Sequence, residues 1–122
     1  MTDAALRIAI RMTCGEEIAF GPGKADLLEA IAREGSISAG ARALGMSYRR
    51  AWTLVDVMNR CWDEPLVATV PGRAHGGATL TDLGRFVLAR YRAMQEAAQQ
   101  AVSADASALW SRLLDAPHPA DG

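Results

Sequence analysis

The sequence predicts a mainly α chain with a small amount of β structure, and three observations carry that prediction. The stretch "GSISAGARALGMSYRRAW", residues 35–52, breaks a helical pattern at Gly45 and restarts it at Ser47. Two β-prone runs, Leu66–Val70 and Ala78–Thr81, flank a Pro/Gly-rich segment and read as a hairpin. A long helical pattern, "DLGRFVLARYRAMQEAAQQAV", follows the second run. Three helices, a hairpin and a further long helix are the order of a winged helix-turn-helix.

Each element has its own local reason. In "ALRIAIRM", Leu6, Ile8, Ile10 and Met12 alternate with Arg7, Ala9 and Arg11, as a half-buried strand does. "CGEE" reads as a turn and "IAF" as a short return strand, so an N-terminal β-hairpin is expected. "GPG" then breaks the chain, and Pro22 suits a helix start, where its missing N–H has no partner to lose. "KADLLEAIAREG" puts Leu27, Leu28, Ile31 and Ala32 at helical spacing, with Gly35 where a left-handed cap belongs. Ser36 or Ser38 caps the next helix, "ISAGARAL", which Gly45 ends by tolerating positive φ. Ser47 caps "YRRAWTLVDVMNRCW", whose end Pro65 marks, and Thr81 caps the long helix. A shorter helical stretch, "ASALWSRLL", precedes the tail "DAPHPADG". The expected organisation is a winged helix-turn-helix over residues 1–101, including a long helix at 82–101, followed by a short helical extension and flexible tail at 102–122.

Two helices joined by a short turn cross closely, and close crossing needs small residues. Ala41 and Ala51 supply them. Ile37, Ala41 and Leu44 make one stripe, facing Ala51, Leu54, Val55 and Met58. With Ala51 inward and about 100° per residue, Arg49, Thr53, Asp56 and Arg60 point away from the core. Arg50 then lies on one flank and Trp52 on the other, where it packs rather than stacks on a base. The first turn offers Ser47, Tyr48, Arg49, Arg50 and Thr53 to solvent. In a helix-turn-helix that end enters the DNA major groove. An arginine there donates two hydrogen bonds to a guanine edge, worth ~1–3 kcal/mol of discrimination. Two arginines on an exposed helix are by themselves most often a solvated face. The glycine turn, the paired alanines and the following hairpin shift the balance toward groove reading. Asp56 would repel phosphate, and is expected to lie beyond the contact zone and to pair with Arg60.

Charge distribution points the same way. The net charge is −1, yet residues 36–92 hold eight Arg against four Asp/Glu, while the rest hold five Arg/Lys against ten. A local basic face on an acidic body suits site-specific binding rather than indiscriminate coating of nucleic acid. Phosphate contacts are expected from Arg73, Lys24 or backbone amides, and sequence reading from Arg49, Arg50 and Thr53. His75, in the hairpin tip, is placed to touch a phosphate. No apolar run is long enough to span a bilayer, and the N-terminus lacks the pattern of a secretory signal. Cys14 and Cys61 match no metal or redox spacing, and with His75 and His118 they make no metal set, so reduced thiols in a cytoplasmic protein are expected. "GRAHGG" has no following Gly-Lys-Ser/Thr, which argues against a nucleotide phosphate loop. No catalytic set stands out. In the long helix, Leu83, Phe86 and Val87 suit core packing, and Leu88, Tyr91 and Gln95 line a second side. Met94, Ala97, Ala98 and Ala101 reach beyond the domain, where Trp110, Leu113 and Leu114 would cover them in cis or across a dimer. Apolar residues on more than one face mark an interface.

"FGPGKADLLEAIAREGSISAGARALGMSYRRAWTLVDVMN", with "GGATLTDLGRFVL" after it, resembles the DNA-binding domain of the ModE family of molybdate-responsive bacterial regulators. More distantly it is similar to the winged helix of LysR-type regulators. The likeness runs from about Leu6 to about Gln100. It implies a bacterial transcription regulator that binds DNA as a homodimer, with the helix after the wing helping to pair the subunits. Ser47, Tyr48, Arg49, Arg50 and Thr53 match the recognition-helix positions. Arg73 to Gly77, His75 included, match the wing tip, which the family lays along the backbone or minor groove. Full-length ModE regulators carry oxyanion-binding domains after this module. The residues past the long helix leave no room for one, so molybdate binding is not expected, nor is any cofactor. Two other functions fit the same fold: a winged-helix protein-interaction module, and an effector-gated sensor with a pocket at the dimer interface.

Overall fold

The computed structural model describes residues 6–71 and 76–120. Two short strands, β1 (Met12–Cys14) and β2 (Glu17–Phe20), lead into three helices, α1 (Pro22–Glu34), α2 (Ile37–Ala43) and α3 (Tyr48–Arg60). A second antiparallel pair follows, β3 (Val67–Val70) and β4 (Gly77–Leu80), then α4 (Asp82–Ala101) and α5 (Ser103–Trp110). This is the winged helix-turn-helix, mainly α with small β elements.

The helix ends follow the local chemistry. Ser36 Oγ accepts from the Ala39 amide at 3.0 Å, so Ser36 rather than Ser38 caps α2. Ser47 Oγ accepts from the Arg50 amide at 3.1 Å, and Thr81 Oγ1 from the Gly84 amide at 3.0 Å. Gly35 closes α1 at φ 85° with its N–H on the Ile31 carbonyl. Gly45 turns the chain between α2 and α3 at φ 66°, a region closed to most side chains.

The core gathers Phe20, Leu27, Leu28, Ile31, Val55, Met58, Leu66 and Tyr91, each at most 1% exposed. Its aromatic centre is Phe20, edge-on to Tyr91 at 5.0 Å and to Trp62 at 6.4 Å. Ala41 and Ala51 are buried where α2 meets α3, as small residues at a close crossing should be. A second close approach is at Gly40 of α2: a Cβ there would sit 3.1 Å from the Ile31 amide nitrogen of α1. The hairpin hangs from the helices by backbone and side-chain bonds. The Ala78 amide donates to the Gly35 carbonyl, and the Thr81 amide to the Leu66 carbonyl, both at 2.9 Å. The Asn59 side chain of α3 accepts from the Leu66 and Val67 amides and donates to the Val67 carbonyl.

Several expectations are corrected. The first strand is not Leu6–Met12 but Met12–Cys14, because only residues opposite the four of β2 find ladder partners. Leu6, Ile8 and Ile10 still alternate in burial with Arg7, Ala9 and Arg11, and Ile10 packs on the core. The third helix stops at Arg60 rather than running on to Trp62. Leu44 leaves the α2 stripe and is 39% exposed, since α2 ends at Ala43 and Leu44 has already left helical geometry. Ala32 faces solvent, and Ala30 takes the buried position. On α4, Phe86 is 57% exposed, whereas Tyr91 is fully buried and donates to the Ile10 carbonyl at 2.7 Å. The α4 face toward the core therefore runs Gly84, Val87, Tyr91. α5 begins at Ser103, three residues earlier than the helical spacing placed it, and keeps only Ala106 buried. Cys14 and Cys61, remote in sequence, meet beside Trp62. Burial pushes the Cys61 thiol above its usual range, and its contact with Cys14 adds to that.

Candidate nucleic-acid interface

α3 is strongly two-sided. Ala51, Val55, Val57 and Met58 are buried, while Tyr48, Arg49, Arg50, Thr53, Asp56 and Arg60 are exposed, as is Ser47 before them. All five recognition-helix residues expected from the sequence thus lie on the accessible end of one helix. Arg73 and His75 fall outside the described residues.

The first turn has a definite order. Its middle is Arg49, with Thr53 one turn on; the Thr53 hydroxyl donates to the Arg49 carbonyl at 3.0 Å, which leaves the hydroxyl oxygen as an outward acceptor. Among the described residues, neither Arg49 nor Arg50 enters an ion pair. Further along, Asp56 accepts from Arg60 Nε at 2.9 Å. That bond, and the Asp56 charge with it, pushes the Arg60 guanidinium up. The one acid on this face is therefore paired nearly two turns beyond the arginines, where the sequence put it.

Two clefts flank the helix. On one side Tyr48 and Trp52 face the hairpin across a space of about 370 Å³, with Ile37, Ser38, Thr69 and Pro71 on its walls. Trp52 Nε1 donates to the Tyr48 hydroxyl, and the two rings meet edge-on at 6.4 Å. The indole N–H is used, but the Tyr48 O–H proton remains free to donate outward. Trp52 is 40% exposed, so it packs at the flank while staying accessible. On the other side, Arg50 and Leu54 of α3 face Lys24 of α1 and Arg11 of the N-terminal segment across about 230 Å³. Burial lowers the Lys24 pKa, against opposing pulls from Cys61 and Glu17, and Arg50 adds a smaller lowering. Lys24 was among the phosphate contacts the sequence offered, beside Arg73 and backbone amides. Arg11 was not, because only the tertiary path of the N-terminal segment brings it to α3.

The family model of bacterial regulatory helix-turn-helix proteins of the lysR family matches residues 24–85, from α1 into the first turn of α4. The chain belongs to this family. It is also similar to the molybdenum transport protein ModE of Azotobacter vinelandii, 43% identical over 101 residues, 80% of this chain and 37% of that protein. The molybdenum-pterin-binding protein MopB of Rhodobacter capsulatus is 46% identical over 77 residues, 62% of this chain and 28% of that one. The DNA-binding transcriptional dual regulator ModE of Escherichia coli is 33% identical over 95 residues, 77% of this chain and 36% of that one. This lysR-family chain thus spans about a third of the length of the curated relatives it matches. The likeness to ModE proteins expected from the motifs is present, and none of these names describes an enzyme. Among the described residues, no helix is long and apolar enough to cross a membrane.

Proposed function

We propose that this chain is the DNA-binding unit of a cytoplasmic transcription regulator and binds a palindromic site in double-stranded DNA as a homodimer. Each copy sets the first turn of α3 into a major groove. Ser47, Tyr48, Arg49, Arg50 and Thr53 meet the duplex there, and Arg49 reads a guanine edge. Arg73 and His75, in the wing, touch the backbone. The observation that carries this reading is the placement of Arg49: outward, without an ion-pair partner among the described residues, on a helix whose opposite face is locked into the core. A guanidinium held so needs no partner to be broken before it binds.

The pairing of two copies is supported by apolar surface on the last two helices. Phe86 and Met94 are 57% and 42% exposed on α4, and Leu109, Leu113 and Leu114 are more than half exposed on or after α5. Covering them with a second copy would hold two α3 helices about one DNA turn apart, ~34–36 Å. This reading assigns no small-molecule ligand to the chain.

Selection of bound duplexes from a random library, followed by gel shift, tests the proposal. The expected result is an imperfect palindrome bound by two copies, with affinity falling steeply as salt rises. Arg49→Ala is expected to cost ~1–3 kcal/mol and to relax preference at one base position in each half-site. Selection that enriches no sequence, or an Arg49→Ala protein with the parent's preferences, would refute it and favour a protein-interaction role.

A further inference from the structure

We infer that the cleft between α1 and α3, formed by Arg11, Lys24 and Arg50, holds a backbone phosphate of the bound duplex, so that Arg50 anchors the helix rather than reading bases. This rests on the DNA-binding reading above and divides its labour. Three cations from three separate parts of the chain line one concave space, with Arg11 before β1, Lys24 in the first turn of α1 and Arg50 in the first turn of α3. Among the described residues, none of the three is in an ion pair. Arg50 repels the Lys24 charge and helps to lower its pKa, although burial is the larger cause and Cys61 and Glu17 pull the other way. Glu17 is itself shared with Arg60, whose guanidinium lies 4.0 Å away. An anion seated in the cleft removes the repulsion.

The rest of the site says which anion. Arg50 and Leu54 lie on one flank of α3, Tyr48 and Trp52 on the other, and Arg49 and Thr53 between them. A helix in a major groove has a sugar-phosphate strand on either side, across a groove about 12 Å wide. With Arg49 pointed at the base edges, the flank bearing Arg50 faces one strand and the flank bearing Tyr48 and the wing faces the other. The cationic cleft opens beside α3 where that first strand must run. Gly21 lies against the Arg11 side chain, with Arg11 Cγ 3.5 Å from where a Cβ would be, and a Cβ at Gly23 would meet nothing within 4 Å. Phosphate contacts of this kind fix register and carry no sequence information.

The test separates this assignment from the reading beneath it. Binding of the full chain to a fluorescent duplex is measured by anisotropy across a salt series, for the parent and for Arg11→Gln, Lys24→Gln, Arg50→Gln and Arg49→Gln, with circular dichroism confirming that each is folded. Each of the first three is expected to lower the slope of log K against log salt by a share of the about 0.9 that one phosphate contributes, and to weaken selected and random duplexes by the same factor. Arg49→Gln is expected to reduce the ratio between selected and random duplexes. A parent that binds while Arg11→Gln and Lys24→Gln keep its full slope overturns the cleft assignment alone. So does an Arg50→Gln protein whose loss is confined to the selected sequence. Inorganic phosphate is expected to compete no better than chloride at equal ionic strength; displacement of duplex at micromolar phosphate would make the cleft a free-anion pocket and overturn the assignment. A parent that binds no duplex removes both the assignment and the function it rests on.

Discussion

Gly84→Ala is expected to destabilise the chain, although it replaces the second-worst helix former with the best. Gly84 lies in the first turn of α4, directly over the Leu66 backbone. A Cβ there would be 3.0 Å from the Leu66 carbonyl carbon and 3.3 Å from its Cα, with the carbonyl oxygen nearer still. That oxygen is not free to retreat, because it accepts from the Thr81 amide at 2.9 Å, and the Leu66 amide is held by Asn59 at 2.9 Å. Thr81 is also the cap of α4 and donates to the Pro65 carbonyl. Helix propensity returns about 1 kcal/mol. Against it stand overpacking, about 1–3 kcal/mol, and about two hydrogen bonds stretched or broken at ~1 kcal/mol each. The net is a loss of about 2–4 kcal/mol, or a fall in Tm of about 8–16 °C for a chain of this size. Thermal and urea unfolding followed by circular dichroism measure it. Gly23→Ala is the matched control, in the first turn of α1 with nothing near its Cβ, and is expected to hold or raise stability by up to ~1 kcal/mol. A Gly84→Ala protein that melts with the parent or above it would show that the hairpin yields freely and that the packing argument is mistaken.

Three further outcomes follow from single contacts. Asn59→Ala removes three bonds that tie α3 to Leu66 and the start of β3, and is expected to cost about 2 kcal/mol by urea titration, since half-burial lets water replace part of them. Gly45→Ala meets no atom within 4 Å, so its cost is the positive φ alone, about 1–2 kcal/mol, and Gly45→Asn should recover part of it. Burial holds the Tyr91 phenol above its ordinary value of 10.0, Arg11 opposing in part. The folded chain then keeps a proton that the unfolded chain releases, so this contribution is complete below pH 10.0 and is lost as pH rises beyond it. Tyr91→Phe is expected to cost about 1 kcal/mol at neutral pH through its bond to Ile10, and its deficit against the parent should shrink above pH 10.0; a deficit constant with pH would contradict the sign.

What the residues announced in sequence are features whose physics is local. A serine three residues before an orphan amide caps a helix wherever the helix lies, and Ser36 and Ser47 do so. Gly35 and Gly45 take left-handed φ because nothing else does so cheaply, and that alone separates α1, α2 and α3. Helical spacing from Ala51 fixed which side of α3 faces out, so Arg49, Thr53, Asp56 and Arg60 lie where that spacing puts them. Even the Asp56–Arg60 pair is an i,i+4 contact within one helix.

Long-range contacts decided the rest. Alternation from Leu6 to Met12 described which side chains face inward, but a strand needs a partner, and β2 is only four residues long. Helical spacing on α4 offered several apolar faces; the position of Phe20 selected the one with Tyr91 and left Phe86 outside. Arg11 joins Lys24 and Arg50 only because the N-terminal segment runs back past α1 and α3. By itself, then, the sequence determined the elements, their ends and the outward face of α3, since capping, φ preference and helical period act within a few residues. Only the tertiary structure decided which apolar face is core and which distant cations share a cleft, because those depend on where remote segments come to rest.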